Sequence, residues 1–142
     1  MIRLLLADDN DFVRQSLVDL LTARGDMSVV AECSDGDEVV EAAQRTRPDV
    51  VIVDLAMARV GGLEAARRLL AVQPDARVVI LTATLSAAAV REARELGVVA
   101  LRQRVVAARH LAFGIVSQER ARHGAPPLVG PAGPVLSRPC IT

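Results

Sequence analysis

The 142-residue chain has no lysine, no tryptophan and no tyrosine, and its aromatics are Phe12 and Phe113 alone. All 17 basic residues are arginine, so its permanent cations are guanidinium groups. They are matched by 17 acidic residues. This zero formal charge lacks the basic excess of a nucleic-acid binder and gives no support for direct DNA contact. No apolar run approaches the roughly 20 residues a membrane helix requires. The N-terminal hydrophobic run is cut off after six residues by Asp8 and Asp9, with no small-residue cleavage site, which argues against a secretory signal. Cysteine is scarce too. Cys33 and Cys140 lie far apart and read as free thiols of a reducing cytoplasm. No glycine-rich phosphate loop follows the first strand pattern, which removes the nucleotide-binding reading.

What the chain does have is short aliphatic runs. Half of it is hydrophobic, drawn from Val, Leu, Ile and Ala, as suits strands buried on both faces and helices packed closely through alanine. Runs at 2–7, 28–32, 49–53, 77–81 and 98–101 read as strands. Between them lie helical patterns. Phe12, Val13, Leu17, Leu20 and Leu21 repeat at helical spacing before Gly25. Asp35 and Glu38 resemble a capping box opening a helix with Val39, Val40 and Ala43 inward, ended by Pro48. Leu63, Ala66, Leu69 and Leu70 line a third helix closed by Pro74. Ser86 caps a fourth that stops at Gly97, and a fifth runs from Val105 to about Arg122. Five strand–helix repeats give an α/β, three-layer, doubly wound parallel sheet. Residues 124–142 hold five of the seven prolines and read as a mostly extended tail or linker remnant.

Four polar residues stand where the strands end. Asp8 and Asp9 follow the first, Asp54 the third and Thr82 the fourth. In a parallel sheet these ends lie side by side, at the rim where doubly wound folds place ligands. Three carboxylates gathered there repel one another unless a cation joins them, and hard divalent cations such as Mg²⁺ prefer oxygen ligands. A metal beside an accessible carboxylate points to phosphoryl chemistry. Taken singly each residue has a plainer reading: Asp8 and Asp9 as a solvated turn, Asp54 as a loop carboxylate, Thr82 as an ordinary strand-end threonine. His110 and His123 read as exposed, and the pairs Arg67/Arg68 and Arg102/Arg104 as solvated faces.

At these residues the chain resembles the receiver domain of two-component response regulators, most of all the group whose receivers precede a LuxR-type helix-turn-helix output domain. The marks are Leu-Leu-Ala-Asp-Asp-Asn at 5–10, Pro-Asp-Val-Val-Ile-Val-Asp-Leu-Ala-Met at 48–57, Gly-Gly-Leu-Glu-Ala at 61–65, Val-Ile-Leu-Thr-Ala at 79–83 and Glu-Leu-Gly-Val at 95–98. None is specific alone; their order and spacing together are. The resemblance implies a flavodoxin-like fold with strand order 2-1-3-4-5 and five helices, a receiver domain over 1–123, and no DNA-binding domain in this chain. It implies Asp54 as phosphoacceptor from a sensor histidine kinase. Mg²⁺ would be held by Asp8, Asp9, Asp54 and the backbone carbonyl of Ala56. Thr82 would contact the phosphoryl group and act as the switch. Signalling would run through the face of helix 4, strand 5 and helix 5, with possible homodimerisation there. DNA would be reached only through an output domain absent from this chain, with a role in transcription regulation, in the cytoplasm and away from membranes. No enzymatic activity of its own is expected.

The resemblance also has departures. Arg104 stands where the family has a phosphate-binding lysine, Leu101 where it has an aromatic switch residue, Ala58 where proline is usual and Gly61 where Asp or Asn is common. Val105 and Val106 replace an acidic residue and a helix cap. They motivate a rival, a degenerate receiver acting as a phosphorylation-independent protein-interaction module. A second rival, a Mg²⁺-dependent phosphohydrolase, is disfavoured because its Asp-x-Asp spacing is missing.

Overall fold

The first apolar run has no polar face, and the fold uses both of its sides. In this computed structural model, which describes residues 1–103, 122–124, 129–130 and 133–134, strand β1 (Ile2–Ala7) lies inside a parallel sheet. Leu4 and Leu6 point into one hydrophobic cluster and Leu5 and Ala7 into another, as the two-residue period of a strand demands. β3 (Val50–Asp54) and β4 (Val78–Thr82) are buried throughout. β2 (Met27–Cys33) is a half-buried edge, and β5 (Ala100–Gln103) closes the far side. Their order, β2-β1-β3-β4-β5, is the expected one.

Helices cover both faces. α1 (Asp11–Thr22) packs Leu17 and Leu21 on the face carrying Leu4, Leu6, Ile52 and Leu81. α2 (Val39–Thr46), α3 (Gly62–Val72) and α4 (Ala87–Leu96) cover the other through Val39, Ala43, Ala65, Ala66, Leu69 and Ala93. The alanines let these helices sit close to the sheet, and each fully buried Leu or Ile contributes about 1.5–3 kcal/mol. Local signals set the ends. The Asn10 side chain accepts from the Val13 N–H at 3.0 Å and that of Ser86 from the Ala89 N–H at 3.1 Å. Gly97 closes α4 in the left-handed conformation at φ 81°.

Several expectations need correction. Phe12 is not inward: it is 82% exposed, because α1 begins at Asp11 and its inner stripe starts a residue later with Val13. β5 begins at Ala100, not 98, since Val98 still donates to the carbonyl of Ala93 at the end of α4. Residues 35–38 do not make a capping box. A 3₁₀ turn (Gly36–Glu38) precedes α2, and Glu38 reaches back to the N–H and hydroxyl of Ser34 instead. Within the tail, β6 (Val129–Gly130) pairs antiparallel with β7 (Gly133–Pro134). The expected fifth helix and Arg104 fall outside the described residues. Among the described residues no helix is long and apolar enough to cross a membrane.

Candidate functional site

β1 pairs with β3, setting Ala7 beside Val53, and β3 pairs with β4, setting Asp54 beside Leu81. The residues that end these strands are therefore neighbours across the sheet, although Asp9 and Asp54 are far apart in the chain. Asp54 is the last residue of β3 and Thr82 the last of β4. Asp8, Asp9 and Asp54 each offer a carboxylate oxygen, all within 4.8 Å of one another. Asp8 and Asp54 are buried, at 1% and 4% exposure, while Asp9 is open to solvent. The outcome is a pit with two anionic walls and an anionic lip. Its donors are all hard oxygens, which suits Mg²⁺ or Ca²⁺ and not a soft metal.

The pit is built by main-chain contacts. The Asp8 N–H donates to the Cys33 carbonyl at 3.1 Å, and the Asp8 carboxylate accepts from the Asn10 N–H at 2.9 Å. Arg14 supports the acidic turn from below. Its guanidinium donates to the Asp8 carbonyl at 2.7 Å and pairs with Asp11 at 2.7 Å and Glu32 at 3.2 Å. Burial opposes the charge on Arg14, but those two carboxylates outweigh it and push its pKa up. Burial also pushes the Cys33 thiol up to about 11, so beside the pit it is a neutral thiol and no nucleophile at neutral pH.

Beyond Asp54 the chain turns back sharply. Leu55 N–H donates to the Leu81 carbonyl at 2.6 Å, and Gly62 N–H to the Leu55 carbonyl at 2.9 Å. A Cβ on Gly62 would stand 2.4 Å from the Asp54 carbonyl oxygen, so only glycine lets α3 start this close to the acidic residue. Ala56 lies exposed in the loop between. Thr82 is 4% exposed, and its hydroxyl donates to the Thr84 carbonyl at 2.7 Å while accepting from the Thr84 N–H at 3.2 Å. Leu101 is fully buried and, being aliphatic, has no polar group to present.

Sequence reasoning thus brings Asp8, Asp9 and Asp54 together correctly, with Thr82 on the same edge. Arg14 was not among the expected site residues, and Asp35 was expected only as a helix cap. Asp35 is 3% exposed and binds the main chain of Arg59 and Val60. An Asp-Gly step after a strand signals a turn, but nothing local reveals partners 24 and 25 residues away. Arg67 and Arg68 lie on a half-exposed surface as expected. Both pair with Glu64, and Arg67 also ties α3 to Glu92 of α4 at 2.8 Å.

Known proteins share this architecture. The family model described as response regulator receiver domain matches residues 4–110. Response regulator GacA of Pseudomonas viridiflava is 42% identical over 82 residues, which are 58% of this chain and 38% of GacA. Transcriptional regulatory protein LiaR of Bacillus subtilis (strain 168) is 35% identical over 139 residues, 97% of this chain and 64% of LiaR. The chain therefore spans less than two thirds of either relative. A crystal structure of a LuxR-family two-component response regulator from Aurantimonas sp. SI85-9A1 superposes with a TM-score of 0.77 at 28% identity, covering 90% of this chain and 89% of that one.

Proposed function

The chain belongs to the response regulator receiver domain family, and from that premise we propose that Asp54 accepts a phosphoryl group from the phosphohistidine of a sensor kinase in a Mg²⁺-dependent step. The observation that supports this best is the convergence of three carboxylate oxygens within 4.8 Å at the ends of adjoining strands. Asp8, Asp9 and Asp54 would hold the ion, with the Ala56 carbonyl as a further ligand. Bound there, Mg²⁺ offsets the anionic charge that would repel an incoming phosphoryl group. A carboxylate oxygen of Asp54 attacks phosphorus as the donor's P–N bond breaks, the electron pair leaving with the imidazole. The product is an acyl phosphate on Asp54. The buried setting of Asp54 restricts access to the side where Asp9 and Ala56 are exposed.

Thr82 then exchanges the Thr84 carbonyl for a phosphoryl oxygen as the acceptor of its hydroxyl proton. Arg104 supplies a charged contact from the place of the family's lysine, through a planar fork instead of a compact ammonium. This biases a two-state equilibrium of the face made by α4, β5 and the segment that follows, through which the domain signals or pairs with a second copy. Residues 1–123 form this unit, and 124–142 act as a linker. A role in transcription follows from the LuxR-family relatives, with DNA contact left to a separate output domain. The setting is the cytoplasm, where sensor-kinase phosphoryl groups are delivered.

Acetyl phosphate with Mg²⁺ should label the wild-type chain, and Asp54→Asn should abolish that label; an Asp54→Asn protein labelled as well as wild type rejects the acceptor assignment. Leu101 favours a second reading, since a fully buried aliphatic side chain cannot relocate to relay a phosphoryl signal by hydrogen bonding. On that reading the domain is a phosphorylation-independent interaction module. Beryllofluoride that binds and shifts the NMR signals of Thr82 and Leu101 supports the first reading, and binding without such shifts the second.

A further inference from the structure

Asp35 is a buried charge that the acidic pit does not use. It follows β2 and is 3% exposed, next to the 3₁₀ turn that packs against α2 and α3. Its two carboxylate oxygens accept from consecutive main-chain N–H groups across the molecule, Oδ1 from Val60 at 2.8 Å and Oδ2 from Arg59 at 2.9 Å. Gly36 N–H adds a bond to the Val60 carbonyl at 3.2 Å, and a Cβ on Gly36 would stand 2.3 Å from that oxygen. Capping of the 3₁₀ turn alone does not account for this arrangement, because the local bond from the Asp37 N–H is long at 3.5 Å. Burying a carboxylate costs several kcal/mol unless strong donors replace its water. Here the two short bonds come from one segment, the loop that leaves Asp54.

That loop is pinned at two ends. Near the acceptor it is held by Leu55 to Leu81 and by Gly62 to Leu55. At its far turn it is held by Asp35 and Gly36. The stretch between, with the Ala56 carbonyl, has its path set by both. Burial pulls the Asp35 carboxyl upward in pKa, but the N–H groups of Arg59, Val60, Asp37 and Gly36 outweigh it and hold it below the usual carboxylate range. The brace is therefore anionic at neutral pH. Arg59 closes over it, its guanidinium 3.0 Å from Asp37 and 3.7 Å from Glu38.

We propose that Asp35 is a positioning residue for the acceptor site: by bracing Arg59 and Val60 it holds the loop after Asp54 in the arrangement that metal binding and phosphoryl transfer require. The inference rests on Asp54 being the acceptor. Groups that orient a ligand-bearing segment commonly change metal affinity or activity about 10- to 100-fold when altered. Asn at position 35 keeps the shape but turns an acceptor into an NH₂ facing an N–H.

The test uses the full chain. In Asp35→Asn, calorimetric Mg²⁺ affinity should fall about 10-fold, and the maximal rate of labelling by acetyl phosphate should fall with little change in the half-saturating concentration. Linkage requires the reciprocal effect in the unaltered protein, so saturating Mg²⁺ should slow hydrogen exchange at the Arg59 and Val60 amides. This second measurement needs no variant and stands even if Asp35→Asn does not fold. Wild-type Mg²⁺ affinity and labelling in Asp35→Asn, or Arg59 and Val60 amides indifferent to Mg²⁺, overturns the positioning role while leaving the acceptor reading intact. A wild-type chain that neither binds Mg²⁺ nor takes label overturns both.

Discussion

Replacing Asp54 with Asn should make the metal-free protein more stable and the metal-loaded one less so. Asp8 and Asp54 are both buried, and their oxygens lie within 4.8 Å. Two unit charges at that distance repel by about 3.5 kcal/mol at an effective dielectric of about 20. Asn keeps the size of the side chain and removes one charge. Water at the mouth of the pit and the donors around it reduce the gain, leaving about 1–2 kcal/mol. For a chain of this length that is a rise in Tm of roughly 3–8 °C without metal. Mg²⁺ acts the other way: at 100 times its Kd it adds about 2.7 kcal/mol to the wild type, most of which the variant forfeits. The two proteins should therefore exchange order as Mg²⁺ is titrated in. Far-UV circular dichroism melts in EDTA and in graded Mg²⁺ read this directly, and they suit a chain without Trp or Tyr. An Asp54→Asn protein that melts with the wild type in EDTA, and gains as much from Mg²⁺, refutes the shared acidic pit.

Two further outcomes follow from the loop around the site. Gly62→Ala forces a methyl to 2.4 Å from the Asp54 carbonyl oxygen, so it should cost about 1–3 kcal/mol, read as a lower urea midpoint, and weaken Mg²⁺ binding in parallel. The pKa of Asp35 is lowered on folding, so the stability it contributes is complete above the unfolded value of about 3.9 and is lost as pH falls from there through the lower folded value. The gap between wild type and Asp35→Asn in urea should hold at pH 7 and narrow below about pH 4; a gap that widens on acidification contradicts the assigned sign.

The central strands were legible because a strand buried on both faces writes itself as an unbroken aliphatic run, and β1, β3 and β4 are such runs. The polar residue ending each run marked the rim, so the acidic trio could be placed without coordinates. Other features depended on distances the sequence does not encode. Phe12 fits a helical stripe in spacing, but the register of α1 against the sheet turns it to solvent. Asp35 carries a local signature of capping, whereas its strong bonds go to residues 59 and 60. The start of β5 is displaced because the end of α4 claims the N–H of Val98. Each miss arose where a tertiary contact outweighed a local preference.

β2 separates β1 from β3 in the chain but lies outside them in the sheet, so the aspartates of the first turn meet the third strand only after a whole strand–helix unit has been laid aside. During synthesis on the ribosome, the earliest carboxylates must wait in water for a partner encoded more than forty codons later. An ion held at this rim would accordingly report assembly of the nonadjacent central strands, and a nascent chain halted before β3 emerges would have no means of acquiring it.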